Sequence, residues 1–263
     1  MVAVKIHTLE GKTRGTVTLP SVFETPLRRD LIKRAVLAQQ SARYQRKGVD
    51  PMAGKRTSAE SWGTGQGKAR VPRRKGSGYR SASHGAFAPF TVSGRRTHPP
   101  EAARNPLERI NKKERRFAIR SAIAATADRD LVSKRGHAFE VDQLPLVISD
   151  KLQELQSTEE VKDVLENIGV WSDIIRVKNG RKVRGGNARR RGRKYRRPVG
   201  PLIVINEDGG IRQAARNIPG VNVVYVTKLN AEALAPGTQP GRLTIWTKSA
   251  LDALATGDSE GEQ

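Results

Sequence analysis

The sequence predicts an α/β fold, with a mainly parallel central sheet covered on both faces by helices and interrupted by one long, extended basic loop. Three observations carry this expectation. After Pro145, short and nearly continuous apolar runs alternate with helical patterns, as in a parallel sheet buried on both sides. Residues 51–100 break that alternation completely. The positive charge is also concentrated: residues 51–100 hold ten Lys/Arg against one acid, Glu60, and residues 176–197 hold twelve Lys/Arg and no acid. These segments supply +9 and +12 of the net +23, leaving +2 for the other 191 residues. The chain reads as a near-neutral body carrying two intensely basic segments.

The body opens with a strand at residues 2–7. A helix is expected from Thr25-Pro26, with Thr25 as N-cap and Pro26 at the first helical position. Leu27, Leu31, Ala35, Ala38 and Ala42 then recur at helical spacing and define a buried stripe. A second long helix is expected at NPLE, with Asn105 as cap, Pro106 first and Glu108 placed for a capping box. Its KKERR run, residues 112–116, must face water or phosphate. Beyond Pro145, PLVIS is a short strand. STEEVKDVLENIG is a capped helix with Ser157 and Glu160 as the box, Val161, Val164, Leu165 and Ile168 as its face and Gly169 as its stop. DIIRV and PLIVI read as strands, GIRQAARNIPG as a short helix and VNVVYV as a strand. RLTIWT and SALDALA close the series as strand and helix. The tail TGDSEGEQ is acidic, small and expected to be mobile.

Several function classes are set aside by composition. The absence of cysteine excludes disulfides and thiolate metal sites. No apolar run is long enough to span a bilayer, and MVAVKIHTLEGK reads as a strand start and not as a signal peptide. A soluble cytoplasmic protein is expected. The four histidines, His7, His84, His98 and His137, have no ligand spacing, so no metal is expected. Glu159 and Glu160 are explained by capping. Glu207 and Asp208 follow a strand end, where doubly wound folds keep active sites, but an Asn-, Asp- and Gly-rich turn is the ordinary way to leave a strand. No catalytic residue, cofactor or small-molecule substrate is expected.

Residues 51–100 contain no Leu or Ile, only Val71, Val92 and Met52 among the aliphatics beyond alanine, and eight Gly and five Pro. Such a segment cannot bury enough apolar surface to offset its ordering entropy, so the free arm is expected to be disordered. A long structureless insertion makes sense if its core is another molecule. Its stretch WGTGQGKA imitates a phosphate loop, but Trp62 stands where the first Walker glycine belongs and Ala69 follows Lys68. The dinucleotide fingerprint fails too, because the spacing is G-x-G-x-G and Pro72 blocks a helix start.

A polyanion reading fits every residue type, in line with a pI near 11.0. Arg70, Arg73, Arg74, Lys75, Arg80, Arg95 and Arg96 can each neutralise phosphate, the arginines bidentately, with Arg56 and Lys68 adding to them. Trp62, Tyr79, Phe87 and Phe90 have no core to join and can pack on unstacked bases or riboses. A solvated basic linker is the plainer reading, but such linkers rarely carry aromatics. The second segment, KNGRKVRGGNARRRGRKYRRPVG, is too broken by glycine for a stable helix. It offers Arg181, Lys182, Arg184, Arg189, Arg190 and Arg191, then Arg193, Lys194, Tyr195, Arg196 and Arg197.

SWGTGQGKARVPRRKGSGYR, HGAFAPFTVSGRRTHPP and the flanking helices resemble the family of universal large-subunit ribosomal protein number four, in its archaeal and eukaryotic form. The resemblance is densest over residues 61–100 and weakest after Ala255. It implies a three-layer α/β/α body, residues 1–47 and 101–255, on the outside of the subunit. It implies that loop 48–100 threads through large-subunit rRNA to the wall of the peptide exit tunnel, with Gln66, Gly67, Arg70, Val71, Pro72 and Arg73 nearest the tip. Residues 178–197 become a second RNA-binding loop and 256–263 a mobile tail. The implied partners are rRNA, neighbouring ribosomal proteins and, indirectly at the tunnel wall, the nascent peptide. The implied role is structural, in subunit assembly. A cofactor-dependent enzyme is the first rival and lacks a phosphate loop at a strand end. A free-standing RNA-binding or ribosome-assembly factor is the second, and composition alone does not separate it.

Overall fold

The computed structural model describes residues 3–260; Val2 of the expected first strand and residues 261–263 of the tail lie outside the described residues. The chain forms two compact units, one comprising Met1–Gln40 with Glu108–Gln263, the other Ser41–Leu107.

In chain order the elements begin with β1 (Ala3–His7), β2 (Thr13–Thr18) and α1 (Arg29–Ser41). The inserted unit carries β3 (Ala59–Glu60) and β4 (Arg73–Arg74). Then follow α2 (Lys112–Ala124), α3 (Arg129–Lys134), β5 (Leu146–Ile148), α4 (Thr158–Asn167) and α5 (Trp171–Asn179). Next come β6 (Lys182–Val183), α6 (Gly186–Arg190), β7 (Tyr195–Arg196), β8 (Leu202–Ile205), α7 (Ile211–Arg216) and β9 (Asn222–Tyr225). The chain closes with α8 (Ala231–Leu234), β10 (Thr244–Thr247) and α9 (Lys248–Glu260).

Six strands form the central sheet in the order β2-β1-β5-β10-β8-β9. Within that sheet only the β1–β2 hairpin is antiparallel. At the centre, Ile245 stands opposite Leu146 and Ile203, and Trp246 opposite Val147 and Val204. Side chains alternate along a strand, so these runs feed two apolar clusters. Leu146, Ile148, Ile203, Ile205 and Ile245 join Val161, Leu165, Ile174 and Ile211 from α4, α5 and α7. Val4, Val147, Leu202, Val204 and Trp246 join Ile32 and Val36 of α1, Ala118 and Ala122 of α2, and Leu251 of α9. Continuous apolarity in LIVI is thus a demand from two clusters at once, with each fully buried side chain contributing about 1.5–3 kcal/mol.

Two buried polar clusters fix the strand starts. Arg242, only 2% exposed, donates from Nε to Gly200 O (2.9 Å) and from Nη1 to Ala233 O (2.7 Å). Its Nη2 donates to Asn222 Oδ1 (2.6 Å) and Pro201 O (3.3 Å). Burial lowers this guanidinium to about 9, which still leaves it charged at neutral pH. Nearby, buried Asp173 accepts from His137 Nδ1 (3.0 Å), Ala138 N (3.0 Å) and Arg176 Nε (2.8 Å). Burial alone would raise the Asp173 carboxyl, but these donors hold it below its ordinary value. Burial keeps His137 neutral, below its ordinary 6.5, against the pull of Asp173.

Several elements differ from the sequence reading. DIIRV is not a strand but the middle of α5, because Asp173 and Arg176 pair at i,i+3 and Ile174 and Val177 share the buried face. The first long helix starts at Arg29, not at Thr25-Pro26: the Ser121 hydroxyl donates to Pro26 O (2.9 Å) and accepts from Arg28 N (2.8 Å), anchoring that turn outside the helix. Its buried stripe contains Ala35 and Ala38 as expected, together with Ile32 and Val36, while Leu27 and Ala42 are exposed. The second begins at Lys112, because Asn105 spends its Oδ1 on Leu107 N (3.2 Å) in a local turn. Segment 178–197 does contain a helix, the five-residue α6, inside the β6–β7 hairpin. α9 runs through TGDSE to Glu260, where a mobile tail was expected. The polar strand β2 and the short α3 and α8 were not anticipated. Ser157 is the N-cap as expected, but its Oγ accepts from Glu159 N (3.3 Å) and not from Glu160 N as a box would have it; Gly169 at φ +74 is the stop.

Arg242→Leu should destabilise the chain by about 3 kcal/mol in urea denaturation, because it leaves several buried carbonyls without a donor. His137 has a folded-state value below 6.5, so the unfolded chain takes up that proton first. Its contribution is therefore complete above pH 6.5 and is lost as pH falls below it. The urea midpoint should drop between pH 7.5 and pH 5.5 and drop less in His137→Asn; an equal drop in that variant would assign the titration elsewhere.

Candidate nucleic-acid interface

In the inserted unit, β3 and β4 pair antiparallel, Ala59 with Arg74 and Glu60 with Arg73. The segment expected to lack regular structure therefore carries a short hairpin. A third extended stretch closes on it: Arg74 N donates to His84 O (3.0 Å) and Ala86 N to Pro72 O (2.8 Å). Among the described residues of this unit, the buried apolar side chains are only Ala86 and Ala88. Backbone pairing and tight turns hold the hairpin, not a core. At the tightest turn Gly94 packs on the Ala88 carbonyl, where a Cβ would stand 1.9 Å from the oxygen.

The candidate residues fall into two groups. Lys68, Arg70, Lys75, Arg80 and Arg96 are exposed, as are Arg56, Trp62, Tyr79 and Phe90, the last at 78%. The Lys75–Glu60 and Arg56–Asp50 pairs are solvent-exposed and weak, so a phosphate can replace either carboxylate. Lys68 Nζ lies 4.5 Å from the Trp62 ring centroid. Arg73 and Arg74 behave differently. Arg73 Nη1 donates to Ser83 O (2.9 Å) and Arg74 Nη1 to Ser81 Oγ (3.0 Å), so both brace the hairpin. Arg95 and Phe87 are half-buried or deeper, and Phe87 sits at φ +66, a conformation rare for a bulky residue. Of the expected tip residues, Gln66, Gly67 and Arg70 are exposed, and Val71, Pro72 and Arg73 are half-buried.

The glycine stretch has a conformational cause. Gly63, Gly65 and Gly67 adopt φ of +75, +83 and +62, and at each of them a Cβ would meet no other atom within 4 Å. The alternation is a zigzag of left-handed residues that other residues enter only at a cost.

The second basic segment lies between α5 and β8. Lys182 pairs with Arg196 and Val183 with Tyr195, and Arg184 N donates to Lys194 O (2.7 Å). Three cations surround the Tyr195 ring: Arg181 Cζ at 3.9 Å from its centroid, Lys194 Nζ at 5.3 Å and Arg197 Cζ at 5.9 Å. Arg181, Lys182, Arg184, Arg189, Arg190, Arg191, Arg193, Lys194, Arg196 and Arg197 are all exposed, and no acid occurs between Asp173 and Glu207. The C-terminal end of the segment is anchored twice, by Arg176 Nη2 on Val199 O (2.9 Å) and by Arg242 on Gly200 O.

The C-terminal end of the parallel strands, the usual ligand crevice of such sheets, is filled by Gln153. Its Nε2 donates to Ser249 Oγ (2.7 Å) and Thr247 Oγ1 (3.2 Å), and its Oε1 accepts from Glu207 N (2.8 Å). Asp208 caps its own turn, accepting from Gly210 N (3.0 Å). Both roles are structural.

A sequence model of the ribosomal protein L4/L1 family matches residues 17–256. The chain belongs to that family. It is 50% identical over 255 residues to large ribosomal subunit protein uL4 of Methanosphaera stadtmanae, covering 97% of this chain and 96% of that one. The uL4 proteins of Methanopyrus kandleri (48%) and Haloquadratum walsbyi (49%) are similar over 95% of this chain and 96% and 98% of their own. For this family member, the bracing by Arg73 and Arg74 was not legible in the sequence, since it depends on where the 81–83 backbone returns.

Gly94→Ala should open the 88–94 turn and speed tryptic cleavage at Arg95 and Arg96, whereas Gly65→Ala, whose cost at φ +83 is confined to the 63–67 stretch, should leave that cleavage rate unchanged.

Proposed function

We propose that this chain is a structural constituent of the large ribosomal subunit. It binds large-subunit rRNA, supports assembly, and extends residues 48–100 as a loop whose tip lines part of the peptide exit tunnel. The observation that carries this reading is the extent of the similarity: it takes in both basic segments as well as the α/β body, across 97% of the chain in one uL4 relative.

The chemistry is binding, not catalysis, and takes place in the cytoplasm as part of the ribosome. Exposed arginines and lysines of both segments neutralise phosphates and release counterions. Trp62, Tyr79 and Phe90 present aromatic surface to bases and riboses. Arg73 and Arg74 shape the hairpin that presents them. The body supplies a rigid mount, whose two apolar clusters are the covered faces of a three-layer α/β/α sandwich. Neighbouring ribosomal proteins complete its surroundings, and the nascent peptide passes the loop tip.

A chain lacking residues 55–95 should keep a cooperatively folding body yet enter large subunits several-fold less than the intact chain, as read by sedimentation. Equal entry would remove the arm from assembly. The intact chain should stay with large subunits through a high-salt wash, and its release would favour a free-standing RNA-binding factor.

A further inference from the structure

Among the exposed cations outside both basic segments, six sit on two helices: Arg29 and Lys33 on α1, and Lys112, Lys113, Arg115 and Arg116 in the first five residues of α2. The acids beside them are already engaged. Asp30 holds Arg28 at 2.8 Å, and Glu114 holds Arg34 at 3.2 Å across the two helices. Together with the Arg28–Ser121–Pro26 bonds, that pair sets α1 and α2 side by side, with the six cations on adjoining helices.

Helix stability does not account for them. Cations in a first turn oppose the helix dipole, and like charges at i,i+4, as in Lys112 and Arg116, repel. The N-cap Asn111 makes no side-chain cap bond that would offset this. The other apolar cluster is covered by a helix of opposite character, since α4 carries Glu159, Glu160, Asp163 and Glu166 against Lys162. The chain also limits where these cations lie. Lys112 follows Leu107, the last residue of the inserted unit, by five residues, a reach of at most about 18 Å.

We propose that Arg29, Lys33, Lys112, Lys113, Arg115 and Arg116 form a third RNA-binding surface, which takes the phosphate backbone of large-subunit rRNA at the root of the insertion. This rests on the ribosomal reading above. The neighbouring acids Asp30 and Glu114 are held by Arg28 and Arg34 and do not compete with phosphate, and the flexible lysines and forked arginines suit a backbone contacted without base readout.

The test compares full-length chains binding in-vitro transcribed large-subunit rRNA across a salt series. One variant changes Lys112, Lys113, Arg115 and Arg116 to glutamine. A charge-matched control changes Lys151, Lys162, Arg212 and Lys248, exposed cations outside the proposed surface. Melting curves confirm that both fold. Each lost phosphate contact lowers the slope of log K against log salt by about 0.7–0.9. The α2 variant should therefore lose about 3 from the wild-type slope, and the control much less. A wild-type slope in the α2 variant overturns the proposal, and so does an equal loss in the control, which would make the effect one of net charge alone. If the unaltered chain neither binds this RNA nor sediments with large subunits, the ribosomal reading fails and the surface fails with it.

Discussion

Arg242 is the side chain on which the geometry of the basic hairpin depends. A guanidinium buried without a carboxylate is costly, and here backbone carbonyls meet its demand. Gly200 O and Pro201 O precede β8, Asn222 Oδ1 opens β9 and Ala233 O lies in α8, so one residue ties the starts of neighbouring parallel strands together. Arg176, held by Asp173, fixes the adjacent Val199 carbonyl. The hairpin of residues 181–197 thus returns to the body through a doubly clamped C-terminal end. A segment with ten cations and no acid would otherwise be driven outward by self-repulsion along an undefined path. The clamps convert that repulsion into a presented surface.

The inserted unit meets the same charge problem with less scaffolding. Two buried alanines are too little apolar surface to hold a hairpin against its ordering entropy. Backbone hydrogen bonds, Gly94 against Ala88, and two arginines turned inward onto Ser81 and Ser83 do what a core does elsewhere. The arrangement leaves Trp62, Tyr79 and Phe90 exposed to solvent. An RNA partner supplies both missing terms at once, counter-charge for the cations and stacking surface for the rings.

Legibility in the sequence followed the range of the deciding interaction. PLVIS, PLIVI and RLTIWT are readable because burial in two clusters forces a continuous apolar run. The Ser157 cap is readable because its partner is two residues away. DIIRV is ambiguous by composition, and the Asp173 that pairs with Arg176 within the helix is also held by Ala138 N from 35 residues away, which no local pattern shows. The start of α1 is likewise decided by Ser121, 93 residues from Arg28. The strand β2, TRGTVT, is a mostly exposed edge with no apolar alternation to betray it. At the candidate interface, charge and aromatic content were legible, but the division between presenting and bracing arginines was not.

The glycine stretch at residues 63–67 illustrates why a phosphate-loop lookalike and a nucleic-acid arm use the same residue. A nucleotide loop needs glycine so that backbone N–H groups can approach one small ligand, and it needs a following helix to aim its dipole there. Here no helix follows, and β4 opens at Arg73 instead. The three left-handed φ values make the glycines conformationally necessary, while the empty space around them leaves the backbone open to a neighbour. Lys68 over Trp62 then places a cation and a ring beside that open backbone. Such a surface has the chemistry to lie along a nucleic-acid strand and has no walls with which to enclose a nucleotide.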